Sequence, residues 1–519
     1  MSQFLGIDAS TQSIDAVILD LDSGELQTFD SVKFDDIPGY ECENGVLPND
    51  DPLIKHSNPL LWLDGLEVLL QQLADRGVDF SKVSAISGSG QQHGTVYLNA
   101  DFVNSRWDVS GKSLAETFKP LLARKTSPIW MDSSTSDECE EIAENAGGRG
   151  YVQRTTGSLP IERFSGPQIR KFYKEEPENY ERTAEIHLVS SFLASVLAGE
   201  SVAIDVGDGA GMNLMSLNDC DWDETMLEAT SPGLLEKLPP VVPSSQVVGT
   251  VSRYLQENYG FSKDARVVAW SGDNPNSLIG TGGYAPGTAV ISLGTSYTFF
   301  AAMEDPVVDP DGYGHVFGNP AGGFMSLICF KNGALAQEEI MKQFGISYYD
   351  YEKCFFETPV GNNGNMLLPY FVPEITPLVL EAAPVKKGEK KFVDNKAPAQ
   401  SVRAVVEGQA LRMKMHSDWI EEKTDVIRVT GGAAKSDANC QALADVFNAR
   451  IERLQVGNAP ALGAAMRAAQ AFGAAGWPEL TKQFCVIDPE KTLQPEPESV
   501  TVYEKMIKEY KEFTEQALS

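Results

Sequence analysis

Residues 4–20, FLGIDASTQSIDAVILD, constrain the fold more than any other stretch of the chain. An apolar run ends at Asp8, a small polar turn follows at Ser10-Thr11-Gln12-Ser13, and a second apolar run returns over 16–19. This pattern predicts a strand, a tight turn and a strand: a β-hairpin at the start of the chain. Its tip offers backbone N–H groups and hydroxyls that can hold phosphate oxygens. Asp8, at the end of the first strand, offers one carboxylate to the water shell of a Mg²⁺ ion. An ordinary hairpin with a polar turn carries the same signature, so the reading depends on what else the chain supplies.

It supplies a second copy. Residues 288–301, TAVISLGTSYTFFA, again run strand, small polar turn, strand, with Leu293-Gly294-Thr295-Ser296 at the turn. Two such hairpins about 280 residues apart predict two related domains. The Gly-rich stretch 280–287, ending in Pro-Gly, marks the boundary. We place it near Tyr284, giving domains 1–284 and 285–519. At 519 residues the chain is too long for one hydrophobic core.

Between the hairpins the pattern predicts a buried strand over 83–87, a loop at 88–94 and a further strand over 95–98. Helices are predicted at 166–175 and 185–198, an extended piece at 213–217, and a strand over 267–270 that runs into Ser271-Gly272-Asp273-Asn274-Pro275. The second half predicts a long amphipathic helix over 398–422. A strand over 426–429 leads into Thr430-Gly431-Gly432-Ala433, followed by a helix over 437–447. An Ala- and Gly-rich helix spans 459–474, able to pack closely on a neighbour, and a polar surface helix covers the last twenty residues. Lys386 to Lys391 reads as a solvated charged loop.

Bulk properties narrow the function classes. The formal charge is −31, from 42 Lys and Arg against 73 Asp and Glu. Such a surface repels nucleic acid and anionic membranes, so neither is an expected partner, and any nucleotide site needs local donors and a metal. No apolar run is long enough to span a bilayer, and the N-terminus shows no secretory leader pattern. Seven scattered cysteines without a CxxC pair, and five dispersed histidines, argue against a disulfide framework or zinc site. A cytoplasmic, reducing setting is expected. Oligomeric state is open between monomer and homodimer.

Phosphoryl transfer needs phosphate donors, a held metal, an oriented nucleophile and exclusion of water. The chain has a residue set for each. The two hairpin turns can hold nucleotide phosphates. Gly431-Gly432, opening a helix, lets backbone approach a nucleotide closely. Asp273, at a strand end, can accept the proton of an attacking hydroxyl. His93 and Gln92 offer directional contacts to a polyhydroxyl substrate. Taken singly, each also fits a common turn; their joint presence in this order is what favours a site. No GxxxxGK[ST] sequence occurs, so an ATP site here is not a P-loop.

The ordered set GIDASTQS, SGSGQQHG, SGDNPNS, SLGTS and VTGGAAKS resembles the FGGY family of carbohydrate kinases, along nearly the whole chain from Phe4 to about Gly473. The segments between them, GSLPIERFSGPQIRKFY, LVSSFLASVLAG, DVGDGAGMNL and CFKNGALAQEEI, are similar to the animal-type xylulose kinases within that family. The resemblance implies an α/β, two-domain actin-like ATPase of ribonuclease H-like topology with a central cleft. It implies ATP and Mg²⁺, and D-xylulose phosphorylated on its 5-hydroxyl. Ribulose, gluconate or glycerol kinases of the same family are alternatives, as is a non-catalytic sugar sensor. Asp8 would anchor Mg²⁺, and Thr11, Gln12 and Ser13 would line the first phosphate loop. Gly294, Thr295 and Ser296 would line the second, with Gly431, Gly432 and Ala433 against the adenosine. Asp273 would be the general base with Asn274 beside it on the sugar, and Gln92, His93 and Arg163 would contact sugar. Arg154 has no motif supporting such a role.

Overall fold

The computed structural model describes residues 3–104, 107, 109, 111–455 and 457–518. The chain divides into two compact units. The first comprises Met1–Tyr284, Val316–Met325 and Gly457–Cys485; the second comprises Ala285–His315, Ser326–Val456 and Val486–Ser519. The split at 284/285 falls in the Gly-rich stretch. Segment 457–485 departs from the simple division at that point: it packs within the first unit.

The first unit is built on a twisted sheet. Strands β1 (Gln3–Ala9) and β2 (Ser13–Asp20) form the antiparallel hairpin, and β3 (Glu25–Thr28) adds beyond β2. On the other side β1 pairs in parallel with β4 (Val83–Gly90), and β4 in turn with β5 (Arg266–Val268) and the short β6 (Ser271–Gly272). The order β5-β4-β1-β2-β3 puts the apolar β1 and β4 at the centre. The helix Pro59–Asp75 buries Leu61, Trp62, Leu66, Leu69, Leu70 and Leu73 in the core that contains Ile14, Ile18 and Ile86.

The helix Ala459–Phe472 packs directly on β1, β4 and the helix Asp273–Gly280. Small residues permit the approach. A Cβ on Gly6 would lie 2.1 Å from the Ala461 carbonyl oxygen, and one on Gly463 would lie 2.0 Å from that of Asn276. This backbone contact is why the segment belongs to the first unit although it follows the second in sequence. Its buried Arg467 donates to the carbonyls of Ser244 (2.8 Å) and Ala269 (2.7 Å) and to Asn276 Oδ1 (3.1 Å). It therefore fixes both the strand leading to Asp273 and the helix leaving it.

The second unit repeats the plan. Strands β7 (Thr288–Leu293) and β8 (Tyr297–Met303) form the second hairpin, β9 (Phe324–Phe330) follows β8, and β7 pairs in parallel with β10 (Val426–Thr430), then β11 (Arg450–Arg453). The order β9-β8-β7-β10-β11 matches β3-β2-β1-β4-β5 of the first unit, so the duplicated topology expected from the two hairpins is present.

Several local expectations change. Residues 185–198 are not one helix: Thr183–Leu188 is a strand pairing antiparallel with Thr95–Asn99, and the helix begins at Val189. A pairing partner some ninety residues upstream outweighs helical periodicity there. The long helix ends at Ser417. The terminal helix Pro497–Leu518 is not merely a surface element, since it buries Tyr503, Met506, Tyr510 and Phe513. Lys386 is not simply solvated; its ammonium sits 4.6 Å from the Phe392 ring centroid and donates to Asn395 Oδ1 at 2.7 Å. Among the described residues no helix is long and apolar enough to cross a membrane.

Candidate active site

In the first unit the parallel strands β1 and β4 carry the polar ends of the site. Asp8, near the end of β1, pairs in register with Ser89 of β4 and is buried. Ser10 Oγ donates to Asp8 Oδ2 at 2.6 Å, whereas Asp8 Oδ1 is buried without a hydrogen-bond partner. Burial raises the Asp8 pKa to about 6, against the hydrogen bond from Ser10.

Asp273 opens the helix Asp273–Gly280, directly after the short β6. Its carboxylate accepts from its neighbour's backbone N–H, Asn274, at 2.8 Å. Burial, then the negative charge of Asp8, raises its pKa to about 7. A carboxylate at that value is half ionised near neutrality, which suits a general base. Ser10, Thr11, Gln12, Ser13 and Asp273 all line one cavity of about 1120 Å³. The first hairpin tip and the predicted base therefore come together within one unit.

Beside Asp273, Asn274 Nδ2 donates to Gln92 Oε1 at 2.7 Å. His93 has a left-handed backbone, φ +68°, a conformation that costs a non-glycine residue and persists where its surroundings enforce it. Its Nδ1–H donates to the Gly211 carbonyl at 2.7 Å, and its ring meets Phe164 edge-on at 4.7 Å. This fixes the tautomer with Nε2 as acceptor. Arg163 lays its guanidinium 5.9 Å from the centroid of the same Phe164 ring. The four residues expected to contact sugar, Gln92, His93, Arg163 and Asn274, thus form one connected neighbourhood with Asp273.

In the second unit Gly294, Thr295 and Ser296 form the exposed turn between β7 and β8. Gly431 follows β10 with φ +92°. A Cβ there would lie 2.6 Å from the Leu293 carbonyl oxygen, so only glycine lets this loop lie against the hairpin's first strand. Gly432 faces open space, and Ala433 presents its carbonyl to Asn439 Nδ2 at 3.1 Å.

Two further groups were not legible as motifs. In the first unit, Lys55 and Trp130 also line the large cavity, and Trp130 Nε1 donates to Thr11 Oγ1 at 2.7 Å although its ring is 44% exposed. Among the described residues lining that cavity, Lys55 is the only Lys or Arg. In the second unit, Tyr348 and Tyr349 begin the helix Tyr348–Glu357 and line a hollow of about 390 Å³ with Glu352 and Lys435. Glu352 accepts from Ser436 Oγ (2.5 Å) and the Ala438 N–H (3.0 Å), which ties this aromatic edge to the loop that carries Gly431 and Gly432.

Among the described residues no group of three or more His, Cys, Asp or Glu side chains could hold a metal ion. A single buried carboxylate with an unpartnered oxygen, Asp8, fits Mg²⁺, which is commonly held by one or two carboxylates with water and substrate phosphates.

The duplicated hairpin-and-sheet plan, each hairpin flanked by parallel strands, is that of the actin-like ATPase fold. Residues 116–280 match the N-terminal domain of the FGGY family of carbohydrate kinases and residues 289–472 match its C-terminal domain; the chain belongs to that family. It is 37% identical to xylulose kinase 2 of Arabidopsis thaliana, covering 92% of this chain and 87% of that relative. It is 36% identical to the xylulose kinase of Rattus norvegicus, covering 99% and 97%. Among solved structures it superimposes on a ligand-bound xylulose kinase from Lactobacillus acidophilus with TM-score 0.81 at 20% identity, covering 100% of this chain and 99% of that one. It superimposes equally well, at TM-score 0.81 and 19% identity with the same coverage, on a Plasmodium falciparum glycerol kinase with ADP. The fold is common to kinases of different polyols and does not select the sugar.

Proposed function

We propose that this chain transfers the γ-phosphoryl group of ATP to the 5-hydroxyl of D-xylulose, giving D-xylulose 5-phosphate and ADP. The observation that carries this reading is the near-full-length similarity to plant and animal xylulose kinases at 36–37% identity.

Asp273 accepts the proton of the 5-hydroxyl as its oxygen attacks the γ-phosphorus. The pKa of about 7 supports this role. His93 Nε2, the Asn274 amide and the Arg163 guanidinium orient the sugar hydroxyls. Thr11, Gln12 and Ser13, with Gly294, Thr295 and Ser296, hold phosphate oxygens, and Lys55 adds the one cation among the described residues lining the first unit's cavity. Gly431, Gly432 and Ala433 lie against the adenosine, and the exposed rings of Tyr348 and Tyr349 offer its base a stacking surface. Asp8 would hold Mg²⁺, which when bound neutralises charge on the phosphate oxygens. The dispersed cysteines, without a CxxC pair, support a reducing, cytoplasmic setting.

A coupled ADP-release assay over D-xylulose, D-ribulose, gluconate and glycerol tests the proposal. D-xylulose is expected to give the highest kcat/KM by at least about 100-fold, the discrimination a site built on hydroxyl hydrogen bonds can supply. A higher value for another sugar overturns the substrate assignment, and no sugar-stimulated ADP release overturns the kinase assignment.

A further inference from the structure

Asp208 is a fully buried carboxyl that the mechanism above does not use. It lies in the short helix Val206–Gly209, whose first turn is capped by Asp205: Asp205 Oδ1 accepts the Asp208 N–H at 2.9 Å. Asp208 therefore does not cap its own turn, and its side chain is committed elsewhere. Ser190 Oγ donates to Asp208 Oδ2 at 2.5 Å. The other oxygen, Oδ1, lacks an aligned hydrogen bond, and so does Gln92 Nε2. These two buried atoms are an acceptor and a donor, and the side chains that carry them interact.

Gly272, immediately before Asp273, shows how tightly they meet. A Cβ there would lie 2.4 Å from Gln92 Cγ and 2.8 Å from Asp208 Oδ1. Gln92 Oε1 is already occupied by the amide of Asn274, and the Asn274 amide is 3.1 Å from Asp273 Oδ1. Three hydrogen bonds, Ser190 to Asp208, Asn274 to Gln92 and Asn274 to Asp273, therefore lie on either side of the close approach between Asp208 Oδ1 and the Gln92 amide.

We propose that Asp208 is a positioning residue for phosphoryl transfer: its carboxyl fixes the direction of the Gln92 amide, which holds Asn274 and so the carboxylate of Asp273. An amide without that anchor can turn over and present its NH₂ group to the NH₂ of Asn274. A carboxyl buried at a cost earns its place if it removes this ambiguity. The groups facing Asp208 are Asp205 on its own turn, Asp273 on the neighbouring helix and Arg467, which lies 3.7 Å from Asp205. Burial, and then the charges of Asp205 and Asp273, raise the Asp208 pKa well above the usual carboxylate range. Asparagine at this position keeps one oxygen for the Gln92 Nε2–H and places its amide beside the Ser190 hydroxyl, so it preserves the anchor without the charge.

The proposal rests on Asp273 being the base, and the test separates the two. Steady-state kcat and KM for D-xylulose at saturating Mg-ATP are measured for Asp208→Leu, Asp208→Asn, Gln92→Leu, the double variant Asp208→Leu/Gln92→Leu, and Asp273→Asn. Asp208→Leu keeps the buried volume and removes both hydrogen-bonding atoms. It is expected to lower kcat by about 10–100-fold, the scale of a misplaced reacting group, with KM within about threefold of the parent. Asp208→Asn is expected to recover most of that loss. The double variant is expected to be no slower than Gln92→Leu alone. Parent-like kcat in Asp208→Leu, failure of asparagine to rescue, or losses that multiply in the double variant would each overturn the relay. Should Asp208→Leu not fold, Asp208→Ser replaces it with the same expected loss and the same rescue comparison. Loss of turnover in Asp273→Asn alongside a parent-like Asp208→Leu defeats only the relay. Parent-like turnover in Asp273→Asn defeats the base assignment.

Discussion

The charge on Asp8 raises the proton affinity of Asp273, adding to the larger effect of burial. The two carboxylates have different environments: Asp8 accepts the Ser10 hydroxyl and is raised to about 6, whereas Asp273 accepts the Asn274 N–H and is raised to about 7. The proposed roles follow from position: Asp273 lies at the helix start beside Asn274 and Gln92, and Asp8 lies at the hairpin with an unpartnered oxygen.

A base must be ionised to work. The acid limb of kcat/KM for D-xylulose is therefore expected to have a midpoint near pH 7, falling about tenfold per pH unit below it. Replacing Asp8 by Asn removes a negative neighbour and should move that midpoint to lower pH while reducing Mg-dependent turnover more than sugar binding. A pH profile of the variant, paired with calorimetric D-xylulose affinity, checks both; a midpoint moved upward contradicts the coupling.

The same shift has a consequence for stability. The folded-state pKa of Asp273 lies above the ordinary value of 3.8, so the folded protein binds protons more readily than the unfolded chain between the two values. Stability contributed by this group is present at low pH and is lost as pH rises through about 7. Asp273→Asn should consequently be more stable than the parent at pH 7.5, on the order of 4 kcal/mol at about 1.4 kcal/mol per pKa unit, while nearly inactive. Calorimetric melting of both proteins at pH 5.5 and 7.5 should show the gain shrinking at the lower pH; a destabilised variant at pH 7.5 contradicts the assignment.

Lys55 and Trp130 address the first phosphate hairpin from outside its sequence. Lys55→Met removes the only Lys or Arg among the described residues lining the cavity and should raise KM for ATP by about tenfold, with KM for D-xylulose little changed. Trp130→Phe removes the 2.7 Å hydrogen bond to Thr11 and should lower kcat/KM for ATP by a smaller factor, in keeping with about 1 kcal/mol for one hydrogen bond. Initial-rate kinetics with each substrate varied in turn separate these effects; a selective rise in KM for D-xylulose contradicts them.

Tyr348 and Tyr349 are exposed by 52% and 79% at the edge of a hollow joined to the Gly431 loop. Replacing both with Ala is expected to raise KM for ATP severalfold without altering the acid limb of the pH profile. Fluorescence titration with ADP reports the affinity directly, and unchanged ADP binding would remove these rings from the nucleotide site.

The parts of the fold that the sequence makes legible are local ones. The hairpins announce themselves because their apolar runs, polar turns and strand-ending Asp8 or Ser292 lie within twenty residues. Asp273 and Asn274 are legible because a strand end, a glycine and a proline surround them. What was not legible depends on contacts between distant segments. The strand Thr183–Leu188 needs Thr95–Asn99 to exist as a strand. The helix Ala459–Phe472 joins the first unit because Gly6, Gly280 and Gly463 leave room for backbone. Trp130 reaches Thr11 across 119 residues. Asp208 sits inside a glycine-rich run, GDGAG, that reads equally well as a turn.

The most direct test of the account is the identity of the product. Phosphorus NMR of the reaction of ATP with D-xylulose, run with the parent protein and with Asp273→Asn, reports both where the phosphoryl group goes and whether Asp273 is needed to send it. The account predicts a single phosphomonoester coupled to the C5 methylene protons from the parent, and almost none from the variant in the same time. A phosphate on another carbon, inorganic phosphate as the main product with sugar present, or equal product from the variant would contradict it.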